Sequence, residues 1–283
     1  MAILFDAEKR IFKLDSKDSS YVMMIGEGDF LLHLHYGAKL DSTDLSYLST
    51  VLGASSVSPN SPDVDDYNFS LDNVLQEYSG NGVGDFRPAA IQIKAPYGGT
   101  TTDVRYKSHK IYKGKYSING LPATYANSED EADTLEILAE DPLTGVEITL
   151  IYGVFNNYSA ITRSVRVKNA GDSAVDIERV FSTCVDFSNI DMDFISLWGQ
   201  WAKERTFERS PLRHGVQSIE SKRGASGHFN NPFIALCDHG ATETAGDVYG
   251  FSFVYSGNFE AQAYADSFGC TRVLMGINPC DFN

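Results

Sequence analysis

The sequence has few cysteines, and no two of them are close together. They stand at Cys184, Cys237, Cys270 and Cys280. A structural zinc site typically needs cysteines a few residues apart, and a disulfide-rich domain needs many of them in a short chain. We therefore expect reduced thiols in a cytoplasmic protein, with no metal site and no cofactor.

Basic residues are also in the minority. The chain has 23 Lys and Arg against 38 Asp and Glu, which gives a formal net charge of −15. Nucleic acids and anionic lipid surfaces are bound through clusters of lysine and arginine, so neither is an expected partner. The first residues have no basic flank followed by a long apolar run, and no later stretch has the length of a membrane span. We expect neither a secretory signal nor a membrane segment.

Aromatic residues, by contrast, are abundant, with 17 Phe and 15 Tyr. Together with alternating β-branched residues and turn signals about every ten residues, they favour strands over helices. The pattern predicts an all-β chain, residues 1–283 in one domain, folded as a large two-sheet antiparallel sandwich. Four hairpins are expected, which join residues 21–25 to 30–36, 135–138 to 146–150, 165–167 to 175–177, and 251–255 to the chain after the turn at 256–258.

Two segments change to a helical period. In residues 43–53, Leu45, Leu48 and Leu52 fall on one helical face. Residues 72–78 predict a second helical turn with Leu71, Val74, Leu75 and Tyr78 on its buried side. Between them, residues 54–68 are rich in Ser, Pro, Asn and Asp, which is typical of an exposed loop.

Residues 77–88 form the most constrained segment. Three glycines are followed at once by Asp85, Phe86, Arg87 and Pro88, which predicts a tight loop leading into a strand at 90–93. Two interpretations stay open: Asp85 and Arg87 pair with each other or with backbone, or they belong to a functional site. His33 and His35 lie two apart on one strand, and we interpret them as a solvent-facing polar pair, since no third metal ligand is near.

Several segments together closely resemble the N-terminal part of the α-galactosidases of glycoside hydrolase family 36, and they occur in the family's order. They are residues 77–90 (EYSGNGVGDFRPAA), 103–115 (DVRYKSHKIYKGK), 119–125 (NGLPATY), 197–205 (LWGQWAKER), 221–226 (SKRGAS), 231–236 (NPFIAL) and 249–259 (YGFSFVYSGNF). The resemblance implies a β-supersandwich of the galactose mutarotase type. It also implies a (β/α)₈ barrel downstream that carries the catalytic aspartates, a homotetramer, and α-galactosides of the melibiose and raffinose type as substrates.

The resemblance also implies a site residue. The tryptophan that matches Trp201 in the family faces the galactose pocket, whereas composition alone favours a core tryptophan. In relatives the loop that matches residues 54–68 carries an aspartate and an arginine, and the resemblance places Ala54 or Ser55 and Tyr67 at these positions. Tyr67 is kept as a second substrate-binding candidate, because a phenol can stack and form hydrogen bonds. For His228 we expect a buried ring bonded to backbone.

Catalytic residues are not expected within this chain. A retaining glycosidase needs two carboxyl groups about 5–5.5 Å apart. The doublet of Asp191 and Asp193 is interpreted as a solvated loop. Three hypotheses follow: a site-completing N-terminal domain of an α-galactosidase, a stand-alone carbohydrate-binding module, or a mutarotase-like enzyme with its own His and Glu in a cleft.

Overall fold

The computed structural model describes residues 2–41, 44–49, 51–52, 64, 66 and 69–282. This part of the chain contains seventeen β-strands and five short 3₁₀ helices, and no α-helix. The strands are β1 (Ile3–Asp6), β2 (Ile11–Asp15), β3 (Ser19–Ile25), β4 (Leu31–Ala38), β5 (Ile91–Lys94), β6 (Arg105–Lys113), β7 (Ala132–Asp141), β8 (Val146–Phe155), β9 (Ile161–Asn169), β10 (Asp176–Phe187), β11 (Asp193–Gln200), β12 (Lys203–Pro211), β13 (Gly215–Ser221), β14 (Asn230–Cys237), β15 (Val248–Ser252), β16 (Phe259–Ala265) and β17 (Thr271–Ile277). The 3₁₀ helices are Glu27–Asp29, Ser46–Leu48, Leu71–Asn73, Glu129–Glu131 and Pro279–Asp281.

The strands form four antiparallel sheets. Sheet 1 has the order β1-β2-β3-β4, and sheet 2 has the order β13-β16-β17-β10-β5. Sheet 3 has the order β12-β11-β14-β15, and sheet 4 has the order β6-β7-β8-β9. The all-β class is confirmed, but the predicted two-sheet sandwich is wrong. Neighbouring strands twist by about 20–25°, so two sheets of eight or nine strands would curl strongly, and smaller sheets relieve this.

All four sheets nevertheless share one hydrophobic core. A single cluster of buried side chains includes Phe12 of sheet 1, Phe181 of sheet 2, Phe194 of sheet 3 and Ile137 of sheet 4. Phe12, Phe181 and Ile137 are fully buried, and burial of a side chain of this size contributes about 1.5–3 kcal/mol. The four sheets therefore pack around a shared interior.

Two of the four expected hairpins are confirmed. β3 pairs with β4, and β7 pairs with β8. The other two are wrong, because the chain changes sheet at the turn. β9 pairs with β8 in sheet 4, whereas β10 joins β5 and β17 in sheet 2. Likewise β15 pairs with β14 in sheet 3, and the next strand, β16, belongs to sheet 2.

The two segments with a helical period contain short 3₁₀ helices and extended chain instead of longer helices. Within the described part of residues 43–53, only the 3₁₀ helix Ser46–Leu48 forms, and Val51 makes a β-bridge with Val74. After the 3₁₀ helix Leu71–Asn73, the chain continues as extended bridges instead of a helix. All four side chains that were expected to be buried are buried: Leu71, Val74, Leu75 and Tyr78. Pairing between strands therefore overrides a weak helical period while it keeps the same residues inside.

The glycine loop is tight, as predicted. Gly82 and Gly84 have φ of 72° and 90°, a region that favours glycine. A Cβ on Gly80 would lie 1.9 Å from the backbone oxygen of Thr102, so a side chain has no room there. The loop leads into β5, which lies at the edge of sheet 2.

A search for membrane-spanning helices gives no candidate. In the part of the chain that the structure describes, no helix reaches the length and hydrophobicity that a bilayer crossing requires.

Candidate functional site

Trp201 lies at the tip of the β11–β12 hairpin and points into solvent. Its side chain is 88% exposed. The next residue, Ala202, adopts a left-handed backbone with φ of 59°. Its amide donates a hydrogen bond of 2.8 Å to the carboxylate of Glu204, and this bond lowers the pKa of Glu204. The turn is thus held in one conformation, and the interpretation of Trp201 as a core residue is wrong.

Gly199 allows the hairpin to close. The ladder between β11 and β12 shifts register between Trp198 and Gln200. A Cβ on Gly199 would lie 2.2 Å from the backbone oxygen of Lys203. A glycine at this position is therefore needed for the two strands to approach closely just before Trp201.

A second loop reaches the same edge of the molecule. Trp198, which is 39% exposed, pairs with Asn230 at the start of β14. Just before Asn230, Phe229 is 53% exposed and carries the guanidinium of Arg223 at 3.7 Å from its ring centroid. We call Trp198, Trp201, Arg223, His228 and Phe229 the tryptophan surface.

His228 belongs to this surface, and the expectation that it is buried is wrong. Its side chain is exposed, and its charge contributes to lowering the pKa of Glu204. The antiparallel pairing of β11 with β14 thus brings together two segments, 197–205 and 221–230, that are about twenty residues apart.

The tryptophan surface suits contact with a sugar. Aromatic rings stack on the C–H faces of sugar rings, and an arginine beside them can donate hydrogen bonds to hydroxyl groups. Sequence analysis found Trp201 but missed Phe229 and Arg223. One signal in the sequence could have identified Phe229. It is an aromatic residue in a segment of Gly, Ser and Lys, where no strand needs it for core packing.

The other candidate, Tyr67, lies outside the described residues, as does most of the loop at 54–68. Its role stays a prediction.

Asp85 and Arg87 take part in a buried ion-pair network. Arg87 donates from Nε to Asp85 at 2.8 Å, and Arg272 donates to Asp85 and to Asp186, each at 2.7 Å. Burial alone raises the pKa of Asp186, and the guanidinium groups of Arg272 and Arg87 outweigh it, so the pKa is lowered. Because all four side chains are buried and paired, the network fixes the glycine loop, and the first of the two interpretations is confirmed.

Glu77 is the centre of a second buried network. Its carboxylate accepts hydrogen bonds from the hydroxyls of Tyr21 at 2.6 Å and Tyr152 at 2.7 Å. It also pairs with Arg163 at 2.7 Å and with Nδ1 of His33 at 3.2 Å. Burial raises the pKa of Glu77, but Arg163, His33 and the Tyr21 hydroxyl together outweigh burial, so the pKa is lowered.

The burial of this second network bears on two predictions, the solvent-facing histidine pair and the mutarotase-like enzyme. His33 is buried, so the interpretation of His33 and His35 as a solvent-facing pair is wrong for His33. A mutarotase-like enzyme needs a His and a Glu that face a cleft. Here Glu77 and His33 contact each other, but they are sealed in the interior, and Tyr21 and Arg163 line the neighbouring cleft instead.

The acid doublet is engaged as well. Nε2 of His239 lies 2.8 Å from Asp191, and Nδ1 lies 2.7 Å from Asp193. Hydrogen bonds to Asp191 and Asp193 raise the pKa of His239. Asp193 is buried and also accepts from Arg209 at 2.6 Å, so the interpretation as a solvated loop holds for Asp191 only. Both carboxylates are therefore paired with His239.

Among the residues that the structure describes, no three His, Cys, Asp or Glu side chains are arranged to hold a metal ion.

Comparison with known proteins gives consistent matches over the whole chain. The family model for the glycosyl hydrolase family 36 N-terminal domain matches residues 29–283. The α-galactosidase AgaA of Geobacillus stearothermophilus is 48% identical over 282 residues, which cover 100% of this chain and 38% of AgaA. The bifunctional α-galactosidase/sucrose kinase AgaSK of Mediterraneibacter gnavus is 42% identical over 279 residues, which cover 98% of this chain and 30% of AgaSK.

A solved structure agrees with these matches. The crystal structure of the family 36 α-galactosidase AgaB from Geobacillus stearothermophilus superposes with a TM-score of 0.93 at 47% identity. The match covers 99% of this chain and 38% of AgaB. This chain therefore spans 38% of the length of AgaA and AgaB and 30% of that of AgaSK, and it belongs to glycosyl hydrolase family 36, where it corresponds to the N-terminal domain.

Proposed function

We propose that this chain is the N-terminal, site-completing and oligomerisation domain of a retaining α-galactosidase that hydrolyses terminal α-galactosyl residues of melibiose- and raffinose-type oligosaccharides. The observation that carries the proposal is the match of nearly the whole chain to 38% of the length of α-galactosidases, together with the match of residues 29–283 to the family's N-terminal domain model. Variants of AgaA have been crystallised with raffinose and with stachyose. Identity of 48–49% over nearly the whole chain supports the same substrate class here.

The catalytic aspartates, in this proposal, belong to a barrel that follows the chain in the complete enzyme. The pairing of the acids described above with basic side chains supports this assignment of the catalytic residues to the barrel. Asp85 and Asp186 pair with arginines, Asp191 pairs with His239, and Asp193 pairs with His239 and Arg209. The carboxyl pair that retention requires is then supplied by the rest of the polypeptide.

The contribution of this chain to the site is the tryptophan surface. In a homotetramer, the β11–β12 hairpin of one subunit reaches the barrel pocket of a neighbour, and Trp201 stacks on the galactose ring. Two features of the chain support this: the indole is 88% exposed, and its turn is held by Glu204. An aromatic wall of this kind excludes water and orients the ring.

We also propose a cytoplasmic location. All four cysteines are free, and three of them are buried as thiols, which suits a reducing compartment.

The test compares two proteins, the full-length polypeptide and residues 1–283. Both are purified from a host that lacks α-galactosidase and are assayed on an aryl α-galactoside, melibiose and raffinose. We expect turnover by the full-length protein and none by residues 1–283. Turnover by residues 1–283, or a folded full-length protein that is inactive on all three substrates, contradicts the proposal.

A further inference from the structure

The tryptophan surface presents a second aromatic ring besides that of Trp201. Phe229 stands just before β14, and its side chain is 53% exposed. The guanidinium of Arg223 lies over the ring at 3.7 Å from its centroid. Because the arginine covers one face, the exposed area of the ring belongs to its edge and its other face. A ligand that stacks on Phe229 therefore approaches from the side opposite Arg223.

Hydrogen bonds hold the loop that carries Phe229 near both of its ends. The amide of Gly224 donates to the side-chain oxygen of Asn258 at 2.7 Å. At the other end, the side-chain amide of Asn230 donates to the backbone oxygen of Glu220 at 2.9 Å. A ring on a loop that is already fixed loses little conformational freedom when a ligand binds. The loop thus presents Phe229 as a rigid contact.

Strand pairing brings Phe229 close to the turn that carries Trp201. Trp198 and Asn230 are the last pair of the ladder between β11 and β14. Because the two strands are antiparallel, Phe229 lies across from residue 199, two residues before Trp201. With strands about 4.8 Å apart and a rise of about 3.3 Å per residue, the Cα atoms of Phe229 and Trp201 are roughly 8 Å apart. A disaccharide can span this distance.

The polar groups around Phe229 suit a neutral sugar. Arg223, His228 and Lys203 are exposed, and each carries nitrogen donors that can bind hydroxyl groups. The carboxylate of Glu204 lies in the same turn as Trp201 and accepts from the amide of Ala202. An anionic ligand is disfavoured by this carboxylate and by the net charge of −15. An aromatic ring beside hydrogen-bond donors is the arrangement that a sugar ring needs.

We propose that Phe229 stacks on the sugar unit to which the galactosyl group of the substrate is attached, while Arg223 supports the ring from behind. Trp201 takes the galactose ring, and Phe229 takes the next ring along the oligosaccharide. This inference rests on the proposed function. It makes Phe229 a specificity-determining residue that favours oligosaccharides over galactosides with a small leaving group.

The test compares two substrates of the full-length protein. Raffinose has further sugar rings beyond galactose, whereas the leaving group of α-galactosyl fluoride is a single atom. The measured quantity is kcat/KM for raffinose divided by kcat/KM for α-galactosyl fluoride. Phe229→Ala should lower this ratio by at least about fivefold, because only raffinose loses a stacking partner. Phe229→Tyr keeps the ring and should restore most of the ratio.

Two further variants make the comparison specific. Phe86→Ala is the control, since Phe86 is 76% exposed but lies in the glycine loop, whose ion pairs are with β10 and β17 of sheet 2. Its ratio should equal that of the unmodified enzyme. Trp201→Ala should lower kcat/KM for both substrates, because both carry the galactose ring.

Three results would overturn the inference. They are an unchanged ratio in Phe229→Ala, an equal loss on both substrates, and a ratio that Phe229→Tyr does not restore. A lower Tm with an unchanged ratio would show that Phe229 serves the fold instead. If the unmodified full-length protein hydrolyses both substrates and the ratio is insensitive to Phe229, the inference fails alone. If the folded full-length protein hydrolyses neither substrate, the proposed function fails.

Discussion

The replacement Trp201→Ala in the full-length enzyme separates a substrate contact from a structural role. Stacking of an aromatic side chain on a sugar ring contributes about 1–3 kcal/mol. Since each 1.36 kcal/mol corresponds to a factor of ten, kcat/KM should fall by about 5-fold to 150-fold.

The same replacement should leave the fold intact. Trp201 is 88% exposed, so truncation removes almost no buried surface. We expect the free energy of unfolding to change by no more than about 0.5 kcal/mol, whereas loss of a core tryptophan costs about 3–5 kcal/mol.

The assay measures kcat/KM and Tm on one preparation, with Tyr97→Ala as the control. Tyr97 is 70% exposed and lies in the turn after β5, away from the tryptophan surface. The control should be normal in both measurements. A Trp201→Ala enzyme that is destabilised by several kcal/mol but normally active per folded molecule would falsify the reasoning.

Three further predictions concern stability. The change Glu77→Gln breaks a buried ion pair with Arg163 and should destabilise the protein by about 3–5 kcal/mol in urea unfolding. Folding lowers the pKa of Glu77 from 4.5. Its contribution to the free energy of unfolding is therefore complete above pH 4.5 and is lost as the pH falls through the lower pKa of the folded state. Glu77→Gln should make the free energy of unfolding depend less on pH in this acidic range. The change Gly80→Ala should lower the free energy of unfolding by about 1–3 kcal/mol, because the added Cβ meets the backbone oxygen of Thr102. As the control, a Cβ on Gly227 has no atom within 4 Å, so Gly227→Ala should leave the free energy of unfolding unchanged. Equal effects of the two changes would contradict the importance of the Thr102 contact. A chelator should leave the Tm unchanged, and a fall in Tm that added zinc reverses would refute this.

Local features of the chain were determined by the sequence. Alternation of apolar residues and turn residues between them identified the hairpins β3–β4 and β7–β8, since both partners and their turn lie within about 20 residues. The left-handed conformations of Gly82 and Gly84 in the loop at 80–84 were also predictable from the sequence. Glycine alone reaches this conformation without steric cost. The resemblance of seven segments to one family made Trp201 a candidate for substrate binding, and that role stays a prediction.

The choice of partners between distant segments was decided by tertiary structure. The alternation of apolar and polar residues indicates which face of a strand is buried, but it does not indicate which other strand pairs with it. The sequence therefore predicted two sheets where four form, and hairpins at β9–β10 and β15–β16 where the chain crosses to another sheet. His33 is buried because Glu77, 44 residues away, offers it a charge and a hydrogen bond in the interior. Trp201 is exposed at a turn that Gly199 and Glu204 shape, and the pairing of Trp198 with Asn230 brings the segment that carries Phe229 beside this hairpin.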